Sequence, residues 1–158
     1  MIRISRHDML VRIAQVVAER SSCSRAAVGC LIVRDGRIIA TGYNGAPTGM
    51  PHCEHKCTCG HPNHVGLDWR EGCPRHDPDL HCTLALHAEA NALVFAARHG
   101  VATDGAELYT TLAPCLHCAG LIINAGIKQV WCGKYYADVD GVNLLISRKI
   151  GVASPEPD

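Results

Sequence analysis

Aromatic residues are scarce in this 158-residue chain, which holds one Phe, two Trp and four Tyr. So few rings weaken the case for a platform that stacks many bases of a nucleic acid. Charge is sparse and balanced as well. Fifteen Lys and Arg offset fifteen Asp and Glu, so no bulk field draws in a nucleic-acid polymer or an anionic membrane, although a local basic pocket stays compatible with that balance. No apolar run approaches the roughly 18 residues of a membrane span. The N-terminus, Met1-Ile2-Arg3-Ile4-Ser5-Arg6-His7-Asp8, lacks the apolar stretch of a signal peptide. Charged residues are 19% of the chain, too few for a disordered one, and the 47% that are apolar suffice for a core. The length suits one domain.

Cysteine and histidine, at ten each, are the unusual abundance. In a small secreted chain an even cysteine count suggests disulfides. Without a leader the expected setting is the reducing cytoplasm, where clustered Cys and His more often hold metal.

Ser5-x-x-Asp8 resembles a capping box. Met9, Leu10, Ile13, Val16 and Val17 follow it at helical spacing, so a helix is expected from about Asp8 to Glu19 with this stripe as its core face. Two β-rich runs, Val28 to Val33 and Ile38 to Gly42, flank Asp35-Gly36 and read as a hairpin. Gly42 to Gly49 is a turn-rich loop, and His52 to Cys82 holds eleven Cys and His. Beyond it the chain alternates: helix His87 to His99, with Ala88, Leu93, Phe95 and Ala96 among its apolar positions, strand Glu107 to Thr111, helix Pro114 to Asn124, strand Gln129 to Cys132 and helix Val142 to Lys149. A hairpin followed by that alternation implies a mixed sheet covered on both faces by helices. Cys30 and Cys132 fall in apolar strand runs and read as inert core residues, and the tail 154–158 reads as loose.

His87-Ala88-Glu89 is followed, after 24 intervening residues, by Pro114-Cys115-Leu116-His117-Cys118. On a helix Cys115 and Cys118 are i and i+3 and point the same way, with Pro114 in the first turn, where its missing N–H costs nothing. Helix N-termini favour thiolates. His87 adds a neutral third ligand, and three protein ligands leave one tetrahedral position of a zinc ion for water, the arrangement of a catalytic site. Glu89 would sit beside that water without binding the metal and carry its proton. The competing reading makes Cys115 and Cys118 buried small hydrophobes and Glu89 a solvated helix residue. The whole string in this order argues against it, because it is similar to the His-x-Glu and Pro-Cys-x-x-Cys signature of zinc deaminases.

Further segments narrow the resemblance. Ser22 to Gly29, Thr41-Gly42-Tyr43-Asn44-Gly45-Ala46-Pro47-Thr48-Gly49, His81-Cys82, Ala90-Asn91-Ala92, Thr110 to Cys115 and Tyr136-Ala137-Asp138 resemble the deoxycytidylate (dCMP) deaminases, phage and bacterial members above all, within the cytidine deaminase-like superfamily. The resemblance implies a three-layer α/β/α fold over about residues 1–153, with a central sheet of about five strands, the last short or missing, and a metal-stabilised insertion at about 50–82. It implies a hydrolase, with dCMP converted to dUMP and ammonia for thymidylate synthesis. Glu89 would protonate N3 and then the leaving amine, while His87, Cys115 and Cys118 hold catalytic zinc. The main chain from Leu112 to Cys115 would contact the base and Asn44 the sugar. Arg25 is the first candidate for the phosphate, against a solvated surface arginine, and Tyr136 for packing near the base, against plain core packing. Family members are commonly homohexamers, activated by dCTP and inhibited by dTTP with Mg2+, which sets the expected partners and effectors.

The Cys/His-rich stretch is too long to be a structureless loop in a compact domain. Cys23, Cys53, His81 and Cys82 match the places of an additional structural zinc in the family, although adjacent ligands need unusual backbone geometry. Cys57, Cys59, Cys73 and His76 are then enough for a third site. Surface thiols and a solvated histidine run are the alternative. The rival functions are another zinc deaminase, acting on dCTP, free cytidine or tRNA adenosine, and a non-catalytic zinc module that binds nucleotides.

Overall fold

The computed structural model describes residues 3–23, 26–50, 85–135 and 139–154. Helix α1 spans Arg6–Ala18, and the Ser5 hydroxyl caps it by accepting the Asp8 N–H at 3.0 Å. The cap sets the start, so the helix begins two residues before the expected Asp8. Leu10, Val11, Ala14 and Ala18 form its buried face, whereas Met9 and Val16, placed in the expected stripe, are 41% and 62% exposed.

Strands β1 (Gly29–Arg34) and β2 (Arg37–Tyr43) form the expected hairpin. Asp35 and Gly36 both take positive φ, 51° and 74°, which matches the primed turn that the right-handed strand twist prefers. Helix α2 (Ala88–Arg98), strand β3 (Glu107–Thr110), helix α3 (Leu116–Asn124), strand β4 (Gln129–Cys132), helix α4 (Asp140–Ser147) and strand β5 (Gly151–Ala153) follow. Several bounds differ by one or two residues from the sequence expectation. α3 starts at Leu116 rather than Pro114, because Cys115 has extended backbone and serves as the N-cap. α4 runs two residues ahead of its expected span at both ends, and β3 stops one residue early.

The five strands form one mixed sheet in the order β2-β1-β3-β4-β5. β1 pairs antiparallel with β2 and β3, and β3, β4 and β5 run parallel. The fifth strand is present and three residues long. This is the three-layer α/β/α arrangement with α1 on one face: Leu31, Val33 and Tyr109 pack there against Leu10, Val11 and Ala14. Period-two alternation sends Cys30, Ile32, Leu108 and Val130 to the other face, against Ala88, Ala92 and Ala96 of α2, Ala119 and Ile122 of α3 and Leu145 of α4. Cys30 and Cys132 are fully buried, and burial pushes both thiols up, in line with a packing role. Phe95 sits on the outer side of α2 and is 46% exposed, so the inner helix face belongs to the alanines.

Beneath α1 a polar cluster closes the sheet. The Tyr109 hydroxyl donates to Glu107 at 2.9 Å and accepts from His7 Nδ1 at 2.8 Å, the Trp131 indole donates to the same carboxylate at 3.1 Å, and Arg6 pairs with it at 3.3 Å. Burial works to raise the Glu107 pKa, but the Tyr109 and Trp131 donors with the Arg6 charge overcome it and hold the carboxyl below its ordinary value. Burial and the adjacent carboxylate push the Tyr109 phenol up to about 12. Tyr109→Phe is expected to cost about 1.5 kcal/mol, roughly 3–6 °C in Tm at neutral pH. A depressed carboxyl contributes stability that is present above its unfolded value and lost as pH falls through the folded one. The cost should therefore shrink below about pH 4, and denaturant titrations of both chains across that range check the sign.

Candidate metal and catalytic site

Two helix N-termini meet at the site. His87 is the N-cap of α2 and Cys115 the N-cap of α3, and neither side chain makes a capping hydrogen bond. Ser, Thr, Asp or Asn would cap better, so both positions give up local stability and turn their side chains toward each other. The His87 Nδ1 lies 3.4 Å from the Cys115 Sγ and 3.4 Å from the Cys118 Sγ. All three donor atoms lie within 4.8 Å of one another. Tetrahedral zinc with ordinary Zn–S and Zn–N bonds sets such donors roughly 3.5 Å apart, so the spacing and the imidazole–thiolate donor set fit that ion.

Glu89, in the first turn of α2, is 4% exposed, and the Cys118 Sγ lies 3.5 Å from its Oε2. Burial raises its carboxyl pKa, while its own backbone N–H and the His87 charge pull the other way. The hydrogen bond from Cys118, with that from His87, drops the Cys115 thiol to about 3 and makes it a standing thiolate. Cys118 is pushed up, first by that same pairing with Cys115 and then by burial. The hydrogen bond to Cys115 likewise raises His87. This is a thiolate–imidazole pair beside a buried carboxyl, poised to bind a cation and to hold a proton.

The other expected site residues have different fates. Asn44 is buried, and its carboxamide clamps the chain that precedes β1. Its Oδ1 accepts from the Ser21 hydroxyl at 2.7 Å and the Val28 N–H at 2.8 Å, and its Nδ2 donates to the Ala26 carbonyl at 2.7 Å. One amide hydrogen remains beyond those bonds. In the segment leading to α3, the Ala113 N–H donates to the Lys134 carbonyl at 2.8 Å, and the Leu112 carbonyl accepts from the Thr110 hydroxyl at 3.0 Å. Those two groups brace the loop. Cys23 is half-buried. Arg25, Cys53, Cys57, Cys59, Cys73, His76, His81, Cys82 and Tyr136 lie outside the described residues.

Sequence reasoning missed three residues that build the site. Ser21 completes the Asn44 clamp. Gly141, at the start of α4, lets that helix approach the Pro114 and Cys115 main chain, where a Cβ would overlap the Pro114 carbonyl oxygen. Asn91 donates from Nδ2 to the Tyr43 carbonyl at 2.7 Å. The Asp140-Gly141 pair and an Asn inside a helix were the available signals, since neither favours helix.

Comparison with known proteins agrees with this geometry. The family model for the cytidine and deoxycytidylate deaminase zinc-binding region matches residues 4–134. The chain is 42% identical to ComE operon protein 2 of Bacillus subtilis over 87% of its length, and 37% identical to deoxycytidylate deaminase of Saccharomyces cerevisiae over 96%. It spans 62% of the first of these relatives and 45% of the second. The dCMP deaminase of cyanophage S-TIM5, solved in complex with dCMP and dUMP, superposes with a TM-score of 0.77 at 28% identity, covering 98% of this chain and all of that one. A match across most of the chain, with both halves of the zinc-deaminase signature on the expected elements, places this chain in the cytidine and deoxycytidylate deaminase family.

Proposed function

We propose that this protein is a zinc-dependent dCMP deaminase, converting dCMP and water to dUMP and ammonia. The observation that carries the reading is Glu89. It is a buried carboxyl that the metal does not need, held beside a His87–Cys115–Cys118 donor set that fits catalytic zinc. Zinc, when bound, supplies a water made acidic enough to lose a proton at neutral pH. Glu89 would take that proton and pass it to N3 of the cytosine, then take the second proton from the oxygen now bonded to C4 and give it to the amine as the C4–N bond breaks, so both protons delivered come from the one water consumed. Its burial suits the task, since burial raises the carboxyl above its ordinary value and so favours taking up a proton. His87 and the two cysteines hold rather than react.

dCMP is favoured over other cytosine substrates by the Gly-Tyr-Asn-Gly loop and by the relatives named deoxycytidylate deaminase. The reading assigns the remaining Asn44 amide hydrogen to the sugar, Arg25 to the phosphate and Tyr136 to the side of the base. It keeps dCTP activation, dTTP inhibition with Mg2+, a homohexamer, and structural zinc at Cys23, Cys53, His81 and Cys82 as its regulatory and structural part. Cys57, Cys59, Cys73 and His76 form the third site of the same reading, in an insertion within one domain of residues 1–153. The setting is the cytoplasm; among the described residues no helix is long and apolar enough to cross a membrane.

The test is ammonia release by metal-replete protein given dCMP, dCTP, deoxycytidine and cytidine in parallel. Clear preference for dCMP supports the reading. Preference for another of the four keeps the zinc chemistry and overturns the substrate. Silence on all four with zinc bound overturns the reading.

A further inference from the structure

The turn that carries Asn44 is held from three sides. On the first, Asn44 clamps Ser21, Ala26 and Val28 through its side chain. On the second, Gly45 and Leu86 exchange main-chain hydrogen bonds of 3.1 and 2.9 Å, and Leu86 directly precedes His87. On the third side stands Asn91, one helical turn beyond His87 on α2, whose own N–H closes that first turn onto the His87 carbonyl at 2.9 Å. Its side chain reaches across to the Tyr43 carbonyl at 2.7 Å.

The geometry of β2 explains why that bond matters. The Asn44 N–H bonds back to the Val28 carbonyl at 3.1 Å, so by the alternation of an antiparallel ladder the neighbouring Tyr43 carbonyl faces away from β1. β2 is an edge of the five described strands, and Asn91 supplies the donor that a further strand would have supplied. A carbonyl only accepts, so the partner has to be a donor, here the Asn91 amide N–H. Asn is also a poorer helix former than Ala, so nothing in α2 itself favours it at this position.

We propose that Asn91 is a positioning residue that fixes the Tyr43–Gly45 turn against the helix carrying Glu89, and so sets the affinity for substrate rather than the rate of the chemical step. The proposal rests on the dCMP-deaminase reading for its kinetic consequence, and on the hydrogen bond alone for its structural one. The Asn91 side chain touches neither the metal-donor side chains nor Glu89 in any described contact. It acts through the main chain of the turn. Removing the amide frees the Tyr43 end of that turn while Gly45 stays paired with Leu86, so the turn pivots rather than detaches.

The experiment uses the zinc-loaded full chain and two variants, Asn91→Asp and Asn91→Ala. Asp keeps the shape and loses the donor, and Ala removes the side chain while favouring the helix. Both are expected to raise KM for dCMP about five- to tenfold with kcat within about twofold, as loss of one hydrogen bond that acts on binding alone would do. Zinc content and Tm should match the wild type, which a merely structural role would not leave in place beside a KM defect. Hydrogen exchange at the Asn44 and Gly45 amides should quicken several-fold in both variants, and this readout needs no turnover. An inactive wild type overturns the dCMP reading, and exchange then decides the Asn91 proposal by itself. Unchanged exchange overturns the proposal, as does a fall in kcat at constant KM.

Discussion

Glu89→Gln should reduce deamination of dCMP by about 10²–10⁴-fold while zinc still binds at His87, Cys115 and Cys118. Gln matches the shape of the carboxyl and has no proton to exchange. The site tolerates a neutral group because burial already disfavours the charge on Glu89. Stability is therefore expected to hold or rise slightly, in contrast to the loss that follows when a paired buried charge is broken. Steady-state rates, metal analysis and a thermal melt on one preparation separate these effects. A rate within tenfold of wild type would mean that another group carries the proton. A loss of zinc along with the rate would mean that Glu89 belongs to the metal-holding set.

Gly42→Ala should cost about 3 kcal/mol or more, lowering Tm by roughly 6–12 °C. A Cβ at Gly42 would overlap the Ala88 carbonyl oxygen of α2 and stand 2.5 Å from the Ala92 nitrogen and 3.0 Å from the Ala92 Cα. All three are backbone, so no side-chain rotation relieves the overlap. Either β2 or α2 has to move. A retreat of α2 would carry His87 and Glu89 away from Cys115 and Cys118, so zinc affinity should fall with stability. A melt within 2 °C of wild type would show that α2 and β2 have more room between them than this packing allows.

The signals that were legible are local ones. Asp35-Gly36 between β-rich runs specifies a primed turn by itself, and the hairpin forms with those two residues in the left-handed region. The His87-x-Glu89 and Pro114-Cys115-x-x-Cys118 strings name the chemistry because donor type and spacing are written in consecutive residues. Helix starts were harder to read. Pro114 looked like a first-turn residue, but Cys115 takes extended backbone and leaves the helix to begin at Leu116.

Sequence by itself determined the class of the fold and the zinc-type donor set, and singled out Glu89 as the candidate proton carrier, because periodicity, turn chemistry and donor spacing act between residues a few positions apart. Tertiary structure alone decided which groups the Asn44 carboxamide binds, why Gly42 and Gly141 carry no side chain, and what Asn91 holds. Those contacts join residues 16 to 48 positions apart in the case of the two asparagines. Contact at that separation leaves no repeat in the chain. It exists only once β2, α2 and the segment before β1 have been packed together.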